Sequence, residues 1–391
     1  MIITVACDVL GEENNGTTIA AMNLINFLRG AGHTVRVLCG DKKREGQKDY
    51  YVVPNINLGK LLNNYVNKIG VTLAKPERDI IEKALDGADV VHIMTPFLLG
   101  RATLSVALEK GIPVTAGFHA QAENFTTYFK LQWCQPLNHF FYVYNWKHFF
   151  SRVDAIHFPT TFIKNVFEEN IHESTKGYVI SNGVNDYVKR RPSKKPPEWQ
   201  DKIVILTTGR YSREKSQDTL IKAIEYSKYK NSIQLVLGGQ GIKENYYKKL
   251  GEKLPVPPVF KFYSRTEIID VLNMCDIYVH PAEMELEGIS CIEAIACGKL
   301  TICSSSKKSA TSGFVVDERC VFKNRDPKDL ARVIDYWIDN PDEKRKCEQK
   351  YLKSSIAYNQ EACMEKMEQM IEDVVDEKRN TEKQGEEKDV T

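Results

Sequence analysis

The amino-terminal sequence, residues 1–39, reads MIITVACDVLGEENNGTTIAAMNLINFLRGAGHTVRVLC and gives the strongest indication of the fold. Its β-branched run at 2–6 predicts a strand, and the run at 34–38 predicts another. Between them, residues 18–28 carry apolar side chains at the i, i+3, i+4, i+7 spacing of an amphipathic helix. These side chains are Ala21, Leu24, Ile25 and Leu28. The stretch therefore predicts a complete β-loop-α-β unit, which is the building block of a parallel sheet.

The same alternation of β-branched runs and helical patterns continues along the chain, which indicates parallel α/β architecture. Further strands are predicted at 90–93, 113–117, 155–158, 178–180, 203–207, 234–237, 259–262, 277–279 and 300–303. A polar, proline-rich stretch at 186–197 separates the two series and indicates a connection between domains. We expect two doubly wound, Rossmann-like domains facing each other across a cleft, with ligands at the carboxyl ends of the strands.

The composition narrows the class of protein. The 391 residues carry 54 lysines and arginines against 52 aspartates and glutamates, so no chain-wide field attracts nucleic acid. An apolar content of 42% supports a sizeable core and excludes global disorder. The ten cysteines form no C-x-x-C pair, which fits buried thiols in a reducing cytosol. With no signal peptide and no apolar run of about 20 residues, we expect a cytoplasmic protein, with or without peripheral attachment to the inner face of the cell membrane.

The segment 280–298, HPAEMELEGISCIEAIACG, places a polar loop with three carboxylates after a predicted strand. The short helix predicted at 289–297 then ends at Gly298. Amides at the start of a helix have no partner within it, so the backbone near Gly288 and Ile289 is a ready site for a diphosphate.

Two glutamates flank this predicted helix start. Glu293 lies one turn into the helix, where its carboxylate can accept hydrogen bonds from the hydroxyls of a ribose. Glu285 precedes the turn and could face a second polar group of the same ligand. On spacing alone, solvated loop and cap glutamates remain an equal alternative.

Other polar residues follow strands that are predicted to end at the same edge of a sheet. Arg210 and Lys215 lie after the strand at 203–207 and could clamp a pyrophosphate, although an isolated pair at this spacing is usually a solvated loop. His119 follows the strand at 113–117. Gly16 allows close backbone approach to a phosphate or sugar. Since Thr17 stands where a phosphate-binding loop requires lysine, and no G-x-G-x-x-G occurs, a P-loop ATPase or a nicotinamide-binding fold is disfavoured.

Seven pieces of the sequence, taken in order, resemble the retaining glycosyltransferases of family 4, which have the two-domain GT-B fold. They are Gly16, 89–97, His119, 179–184, Thr208-Gly209-Arg210 with Lys215, 238–241, and 282–298 with Glu285 and Glu293 of the Glu-x7-Glu motif. The resemblance spans nearly all of residues 1–375, and the pieces most resemble diacylglycerol glucosyltransferases.

The resemblance implies an enzyme that transfers a hexose from a nucleotide sugar with retention of configuration, without a metal ion or other cofactor. By position, Arg210 and Lys215 would bind the diphosphate and Glu293 the ribose. The remaining implied contacts are Glu285, Gly288 and Ile289 to the hexose and phosphate, Gly16 to the diphosphate, His119 to the sugar at the reacting carbon, and Ser264 and Arg265 to the base.

The resemblance also implies where the domains lie, because the last helices of this family cross back to the first domain. We expect an acceptor-binding domain at 1–185 completed by helices at 352–375, and a nucleotide-sugar-binding domain at 186–351. Residues 376–391 are almost all charged or polar, which predicts a disordered tail.

The acceptor is predicted from eleven aromatic residues within 125–152, a segment with interleaved basic residues and no acidic ones. Rings and cations together suit a membrane interface, although about half of the rings are expected to pack inside the domain. The candidate residues are Phe125, Tyr128, Lys130, Trp133, Trp146 and Lys147. A membrane lipid such as diacylglycerol or a glycolipid is the favoured acceptor. A polysaccharide or other soluble glycan, a nucleotide-sugar 2-epimerase, and a non-catalytic sugar-nucleotide-binding protein remain alternatives.

Overall fold

The computed structural model describes residues 1–10, 16–56, 74–127, 131 and 133–389. The chain divides into two compact units. Unit 1 comprises Met1–Asn182 and Glu361–Thr391, and unit 2 comprises Gly183–Gln360. The first boundary lies three residues before the predicted 185, and the chain joins unit 1 again after Gln360, later than the predicted 352.

Unit 1 is built on a parallel sheet with helices in the connections. Within the described residues the strands are β1 (Ile2–Cys7), β2 (Thr34–Cys39), β3 (Tyr50–Val52), β4 (Val90–Ile93), β5 (Val114–Gly117), β6 (Ala155–Phe158) and β7 (Gly177–Val179), in the order β3-β2-β1-β4-β5-β6-β7. The helices are α1 (Gly16–Gly30), α2 (Arg78–Leu85), α3 (Leu98–Glu109), α4 (Ala122–Thr127), α5 (Gln135–His148) and α6 (Thr161–Ile171).

Unit 2 repeats the plan. Its strands include β8 (Ile203–Thr208), β9 (Ile233–Gly238), β10 (Val259–Lys261), β11 (Ile277–His280), β12 (Met284–Glu285), β13 (Thr301–Ser304), β14 (Lys308–Ser309) and β15 (Val321–Phe322). The main sheet has the order β10-β9-β8-β11-β13-β15, and β12 pairs with β14. The helices are α7 (Gln217–Tyr226), α8 (Glu244–Gly251), α9 (Arg265–Met274), α10 (Ile289–Ala296), α11 (Pro327–Asp339) and α12 (Pro341–Ser354).

The predicted fold class, two doubly wound parallel-sheet domains, is confirmed. Each predicted strand is present to within about two residues at each end. Strand β3, the β12–β14 pair and β15 were not predicted. These strands are two or three residues long, which is too short to show a period.

The last helix, α13 (Gln360–Asp389), belongs to unit 1 from Glu361 onward. Its apolar side chains pack in the same core as β1, β2 and α1. They include Met364, Met367, Met370, Ile371 and Val375. The expected disorder of 376–391 differs from the structure, which continues the helix to Asp389. Glutamate, lysine and glutamine have high helix propensity, and the packed turns before them provide the nucleus that an isolated segment would lack.

A buried carboxylate ties the end of β1 to the start of α3. Asp8 accepts hydrogen bonds from the amides of Leu99 (2.9 Å) and Gly100 (3.1 Å) and from the hydroxyl of Thr95 (3.2 Å). These amides lie in the first turn of α3, where the helix itself offers no acceptor. Burial raises the pKa of Asp8 to about 6 in spite of these hydrogen bonds.

We expect Asp8 to make unit 1 less stable as the pH rises from 4 to 7. The pKa of this carboxyl is 3.8 ordinarily and about 6 in the folded protein, so the folded state binds the proton more tightly. The resulting stabilisation is complete below about pH 4 and is lost as the pH rises through about 6, with an upper bound of about 3 kcal/mol. Denaturant unfolding between pH 4 and pH 8 should show a weaker pH dependence for Asp8→Asn than for the wild type. Parallel curves for the two proteins would contradict this expectation.

Candidate functional site

The loops after β8 and β11 carry most of the residues predicted to bind a donor, and the sheet order brings these loops together. β8 has β9 on one side and β11 on the other, so the chain reverses its winding between β8 and β11. Such a reversal opens a crevice at the carboxyl ends of the two strands. Across the crevice, the amide of Glu283 donates to the carbonyl oxygen of Glu214 over 2.8 Å. The two loops are therefore joined next to the predicted site.

Lys215 and Glu285, predicted from separate motifs 70 residues apart, form an ion pair through Lys215 Nζ and Glu285 Oε1. His280 Nε2 lies 2.9 Å from the same oxygen. Burial alone would raise the pKa of Glu285, but the charge of Lys215 and the hydrogen bond from His280 outweigh it and lower the pKa to about 2. Glu285 is therefore ionised at neutral pH, and it can only accept hydrogen bonds.

Behind His280 lies a short chain of buried hydroxyl groups. The hydroxyl of Tyr278 is 3.2 Å from His280 Nδ1 and 3.0 Å from Thr208 Oγ1. His280 lies within the predicted motif at 280–298, but no role was predicted for it. The available signal was its place at the end of β11, five residues before Glu285.

The start of α10 has the geometry that the sequence predicted. Gly288 precedes the helix with φ of +84°, in the left-handed region. A Cβ at this position would lie 2.6 Å from Thr311 Cγ2, so the site has no room for a side chain. The amides of Ile289 and Ser290 lie in the first turn, have no acceptor within the helix, and belong to half-buried residues. The backbone donors at the start of α10 and the Lys215–Glu285 ion pair are thus provided by the two joined loops, which follow β8 and β11.

Glu293 lies one turn into α10 and pairs with Arg265 Nη1 over 2.8 Å. Burial raises the pKa of Glu293, and the charge of Arg265 opposes the rise. Arg265 was predicted to contact the base, and its ion pair with Glu293 was not predicted. The Ser264 hydroxyl accepts the amide hydrogen of Glu267 (3.3 Å), and Glu267 accepts that of Ser264 (2.8 Å), in a capping box for α9. The proposed roles of both residues toward a base remain predictions.

Arg210 lies in the same loop as Lys215 and pairs with Glu214. Its guanidinium is half exposed and lies 3.3 Å from Glu214 Oε1. Its backbone carbonyl accepts from the side-chain amide of Gln217 over 3.0 Å. The two predicted cations thus belong to one loop but to different ion pairs.

The glycine-rich loop 238–241 supports the loop that carries Arg210. The amide of Gly209 donates to the carbonyl oxygen of Gly238, and that of Tyr211 donates to Gln240, each over 2.9 Å. A Cβ at Gly239 would lie 2.0 Å from the carbonyl oxygen of Gly209, and one at Gly241 would lie 2.6 Å from that of Tyr211. Glycine is needed here because two backbones meet, whether or not a ligand is bound.

In unit 1 the sheet register places three histidines together. His92 pairs with Thr115, and His157 pairs with Gly117, so both imidazoles lie on one face of the sheet. His119 folds back onto the same face, where a Cβ at Gly117 would lie 2.4 Å from His119 Nε2. The rings of His119 and His157 are 5.4 Å apart, edge to face.

Burial lowers the pKa of all three imidazoles, to about 3 for His92, to about 4 for His157 and well below the ordinary value for His119. His119 is therefore a neutral ring at pH 7, able to hydrogen-bond a hydroxyl but not to carry a positive charge. Its Nε2 atom is buried inside unit 1. The predicted contact of His119 with a sugar remains a prediction, as does that of Gly16. Gly16 is the first residue of α1, and a Cβ there would meet no atom within 4 Å.

The aromatic segment is partly buried and partly exposed. Of the eight rings in this segment whose burial the structure describes, Tyr142, Phe149 and Phe150 are buried, against an expectation of about half. The exposed fractions are 49% for Trp133, 57% for Phe140 and 43% for Tyr144. We call these three residues the aromatic face.

The other predicted acceptor residues differ in their settings. Trp146 is half-buried, donates to Glu173 over 3.2 Å and packs against Phe167, while Lys147 is exposed. Phe125 lies in α4, and nothing is described of its side chain. Tyr128 and Lys130 lie outside the described residues.

The described residues offer one set of side chains suited to a metal ion and no helix suited to crossing a membrane. Among the described residues, one set of three ligand-type side chains is close enough to share a metal ion: His33, Glu368 and Glu372 of unit 1. No part of the proposed donor site belongs to that set. None of the described helices combines the length and the apolarity needed to cross a bilayer.

Comparisons with known proteins cover most of the chain. A family model described as Glycosyltransferase Family 4 matches residues 14–187, and one described as Glycosyl transferases group 1 matches residues 188–353. A GDP-mannose-dependent alpha-mannosyltransferase of Mycolicibacterium smegmatis is 24% identical over 310 residues, which is 76% of this chain and 78% of the relative.

Two further likenesses are informative in different ways. An alpha-monoglucosyldiacylglycerol synthase of Streptococcus pneumoniae is 24% identical over 225 residues, 54% of this chain and only half of the synthase. The crystal structure of Anabaena HepE in complex with UDP and glucose has a TM-score of 0.71 at 14% identity, covering 95% of this chain and 100% of that one. At 14% identity this likeness shows the fold alone.

Proposed function

This chain belongs to the glycosyltransferases of family 4, has the GT-B fold and uses a nucleotide sugar; from that premise we propose that it transfers glucose, with retention of configuration, to a membrane lipid such as diacylglycerol or a glycolipid. The choice of glucose is supported by the name of the pneumococcal synthase. The choice of a lipid is supported by that name and by the aromatic face of unit 1.

The observation that carries the proposal is the contact of Lys215 with Glu285 beside the open start of α10. A sugar diphosphate presents two chemically different parts, an anionic pyrophosphate and a neutral ring of hydroxyls. Lys215 and the amides of Ile289 and Ser290 suit the first part. Glu285, ionised and limited to accepting, suits the hydroxyls of the second.

Charge governs the proposed reaction. Breaking the anomeric bond leaves positive charge on the sugar carbon and negative charge on the departing diphosphate. Lys215, Arg210 and the amides at the start of α10 would stabilise the diphosphate without a metal ion, and the Glu285 carboxylate would stand on the side of the sugar. By analogy with the family, the leaving phosphate takes the proton of the acceptor hydroxyl, so a pair of glycosidase-type carboxylates is not needed.

A donor screen tests the first half of the proposal. UDP-glucose should raise the melting temperature of the protein, because a ligand that binds only the folded state stabilises it by mass action. GDP-mannose and UDP-galactose serve as comparison donors in the same assay. Turnover is then measured with the responding donor, with diacylglycerol vesicles and with a soluble glycan panel in parallel. A response to GDP-mannose alone would overturn glucose, and release of free sugar without any acceptor would favour an epimerase.

The aromatic face supports the lipid acceptor. Phe140 and Tyr144 stack within α5 at 5.9 Å between ring centres, and the guanidinium of Arg101 lies 5.0 Å above the Tyr144 ring. Lys147 is exposed one helical turn further along. Half-exposed rings with cations beside them match the depth and charge of an anionic headgroup layer.

We therefore expect Trp133→Ser/Phe140→Ser to weaken binding to anionic vesicles by roughly 10-fold or more. Each ring would insert apolar area worth on the order of 1 kcal/mol, and 1.4 kcal/mol corresponds to a factor of ten. Vesicle flotation at low and high salt measures the effect. The matched control is Ile242→Ser/Phe262→Ser, which removes two exposed apolar side chains of unit 2 and should leave binding unchanged.

The flotation assay also decides between acceptors. If the wild-type protein ignores anionic vesicles at low salt, the lipid acceptor is wrong and a soluble glycan becomes the better choice. If both double variants lose binding equally, the aromatic face has no special part in it.

A further inference from the structure

His280 touches the predicted catalytic carboxylate, although no binding or catalytic step described so far uses it. It is the last residue of β11, and only 2% of it is exposed. Its Nε2 atom lies 2.9 Å from Glu285 Oε1, and its Nδ1 atom lies 3.2 Å from the hydroxyl of Tyr278. Both ring nitrogens are therefore engaged, which fixes the rotation of the imidazole.

The direction of the hydrogen bond between His280 and Glu285 follows from the charge of Glu285. An ionised carboxylate only accepts, so His280 Nε2 carries the proton and donates it. On the other side of the ring, Nδ1 is 3.2 Å from the hydroxyl of Tyr278, which is in turn 3.0 Å from the hydroxyl of Thr208. Hydrogen bonds thus connect Thr208 on β8, through Tyr278 and His280 on β11, to Glu285.

Lys215 contacts the same oxygen of Glu285 as His280 does, but through a longer and more flexible side chain. Its side chain extends from a loop, is 23% exposed and has four rotatable carbon–carbon bonds. A pyrophosphate carries more negative charge than one carboxylate and competes for the ammonium group. When Lys215 turns toward the diphosphate, Glu285 loses its cation in a site where only 12% of its side chain is exposed. An unpartnered charge in such a setting is costly, so another donor must remain.

We propose that His280, backed by Tyr278 and Thr208, is the positioning residue that holds the Glu285 carboxylate toward the transferred hexose while Lys215 engages the diphosphate. His280 keeps its contact with Glu285 throughout the reaction, whereas Lys215 exchanges its contact with Glu285 for one with the diphosphate. This inference rests on the proposed function, because it assigns Glu285 to the sugar.

The kinetic test compares variants of His280 with the active donor. His280→Phe removes the donor and should lower kcat about 30- to 100-fold, while the donor KM changes by less than about threefold. His280→Gln keeps an N–H donor and should recover kcat to within about fivefold of wild type. Tyr278→Phe removes only the hydroxyl behind the ring and should lower kcat by about three- to tenfold.

Tyr351→Phe is the matched control for the loss of a buried hydroxyl. Tyr351 is fully buried in unit 2 and donates to the carbonyl oxygen of Thr301 over 2.7 Å. The kcat of Tyr351→Phe should match that of the wild type. Equal kcat values for folded His280→Gln and His280→Phe would overturn the proposal, since the ring would then act by packing alone. A fall in kcat for Tyr351→Phe as large as that for Tyr278→Phe would overturn it as well.

A measurement without turnover separates this inference from the proposed function. In protein labelled with ¹⁵N-histidine, the His280 signals are assigned by their loss in His280→Gln. They should show a proton on Nε2 that is protected from solvent, both in the free protein and with saturating UDP. A bare Nε2, or a proton that exchanges freely once UDP is bound, would overturn the role of His280. If wild type turns over no nucleotide sugar, the proposed function fails, and this experiment still decides whether His280 holds Glu285.

Discussion

Lys215→Ala should lower kcat/KM for the nucleotide sugar by two to three orders of magnitude. Lys215 is the half-buried cation paired with Glu285 and is our candidate to stabilise the diphosphate as it leaves. Deletion of one such donor commonly costs a factor of 10²–10³. The loss also leaves Glu285 without its ammonium partner, so the carboxylate repels the incoming diphosphate. Steady-state kinetics with varied donor measures the effect, and Lys215→Arg should retain part of the activity because the charge remains.

The matched control for this change is Lys222→Ala. Lys222 belongs to the same unit and lies in α7, the helix that follows the loop of Lys215. Its ion pair with Asp218 lies on the exposed side of α7. Its removal should alter kcat/KM by less than about twofold, since exposed i,i+4 pairs contribute little. If Lys215→Ala remained as active as Lys222→Ala, the assignment of the donor site to this crevice would be wrong.

Gly288→Ala is expected to reduce both stability and activity strongly. An alanine at φ of +84° is strained by about 1–2 kcal/mol, and its Cβ would lie 2.6 Å from Thr311 Cγ2. Together these effects should lower the free energy of unfolding by about 3 kcal/mol. Relief of the overlap would shift the first amides of α10, and a shift of about 1 Å in a binding group can cost about 100-fold in rate. Denaturant unfolding and donor kinetics measure the two effects.

The other end of the same helix supplies the control. Gly298 also has a positive φ, +64°, but the nearest atoms to a Cβ there are 3.5 Å away. Gly298→Ala should therefore show the backbone strain of about 1 kcal/mol without loss of activity. Thr311→Ser removes Cγ2 and keeps the hydroxyl, so it should restore part of the activity of Gly288→Ala. No restoration would mean that the overlap with Thr311 is not what disturbs the helix start.

The fold could be predicted because its signals are long and periodic. The strand at 2–6 and the helix at 18–28 each extend over enough residues to reveal a period of 2 or 3.6. The short strands β12 and β14 show none, because two residues cannot. The helical end of α13 was mistaken for disorder because composition alone does not report the packed turn from which a helix continues.

Sequence motifs predicted individual residues of the site but not the contacts between them. Lys215 and Glu285 were each found from the loops that contain them, but their contact depends on β8 pairing with β11. The partner of Glu293 was missed for the same reason, since Arg265 comes from the start of another helix. His280 carried no signal beyond its place at the end of a strand. Side chains that act on one another across strands are fixed by the sheet order, which no local pattern records.

The return of α13 to unit 1 has a consequence for synthesis of the protein. The hydrophobic core formed by β1, β2 and α1 includes methionines that the ribosome adds about 180 residues after Asn182. At roughly 5–20 residues per second, that delay is on the order of 10–40 s. Unit 2, by contrast, is one continuous stretch. The nascent amino-terminal sheet therefore keeps an apolar surface exposed until α13 is synthesised, after unit 2 is complete. A chaperone would have most to shield in this interval.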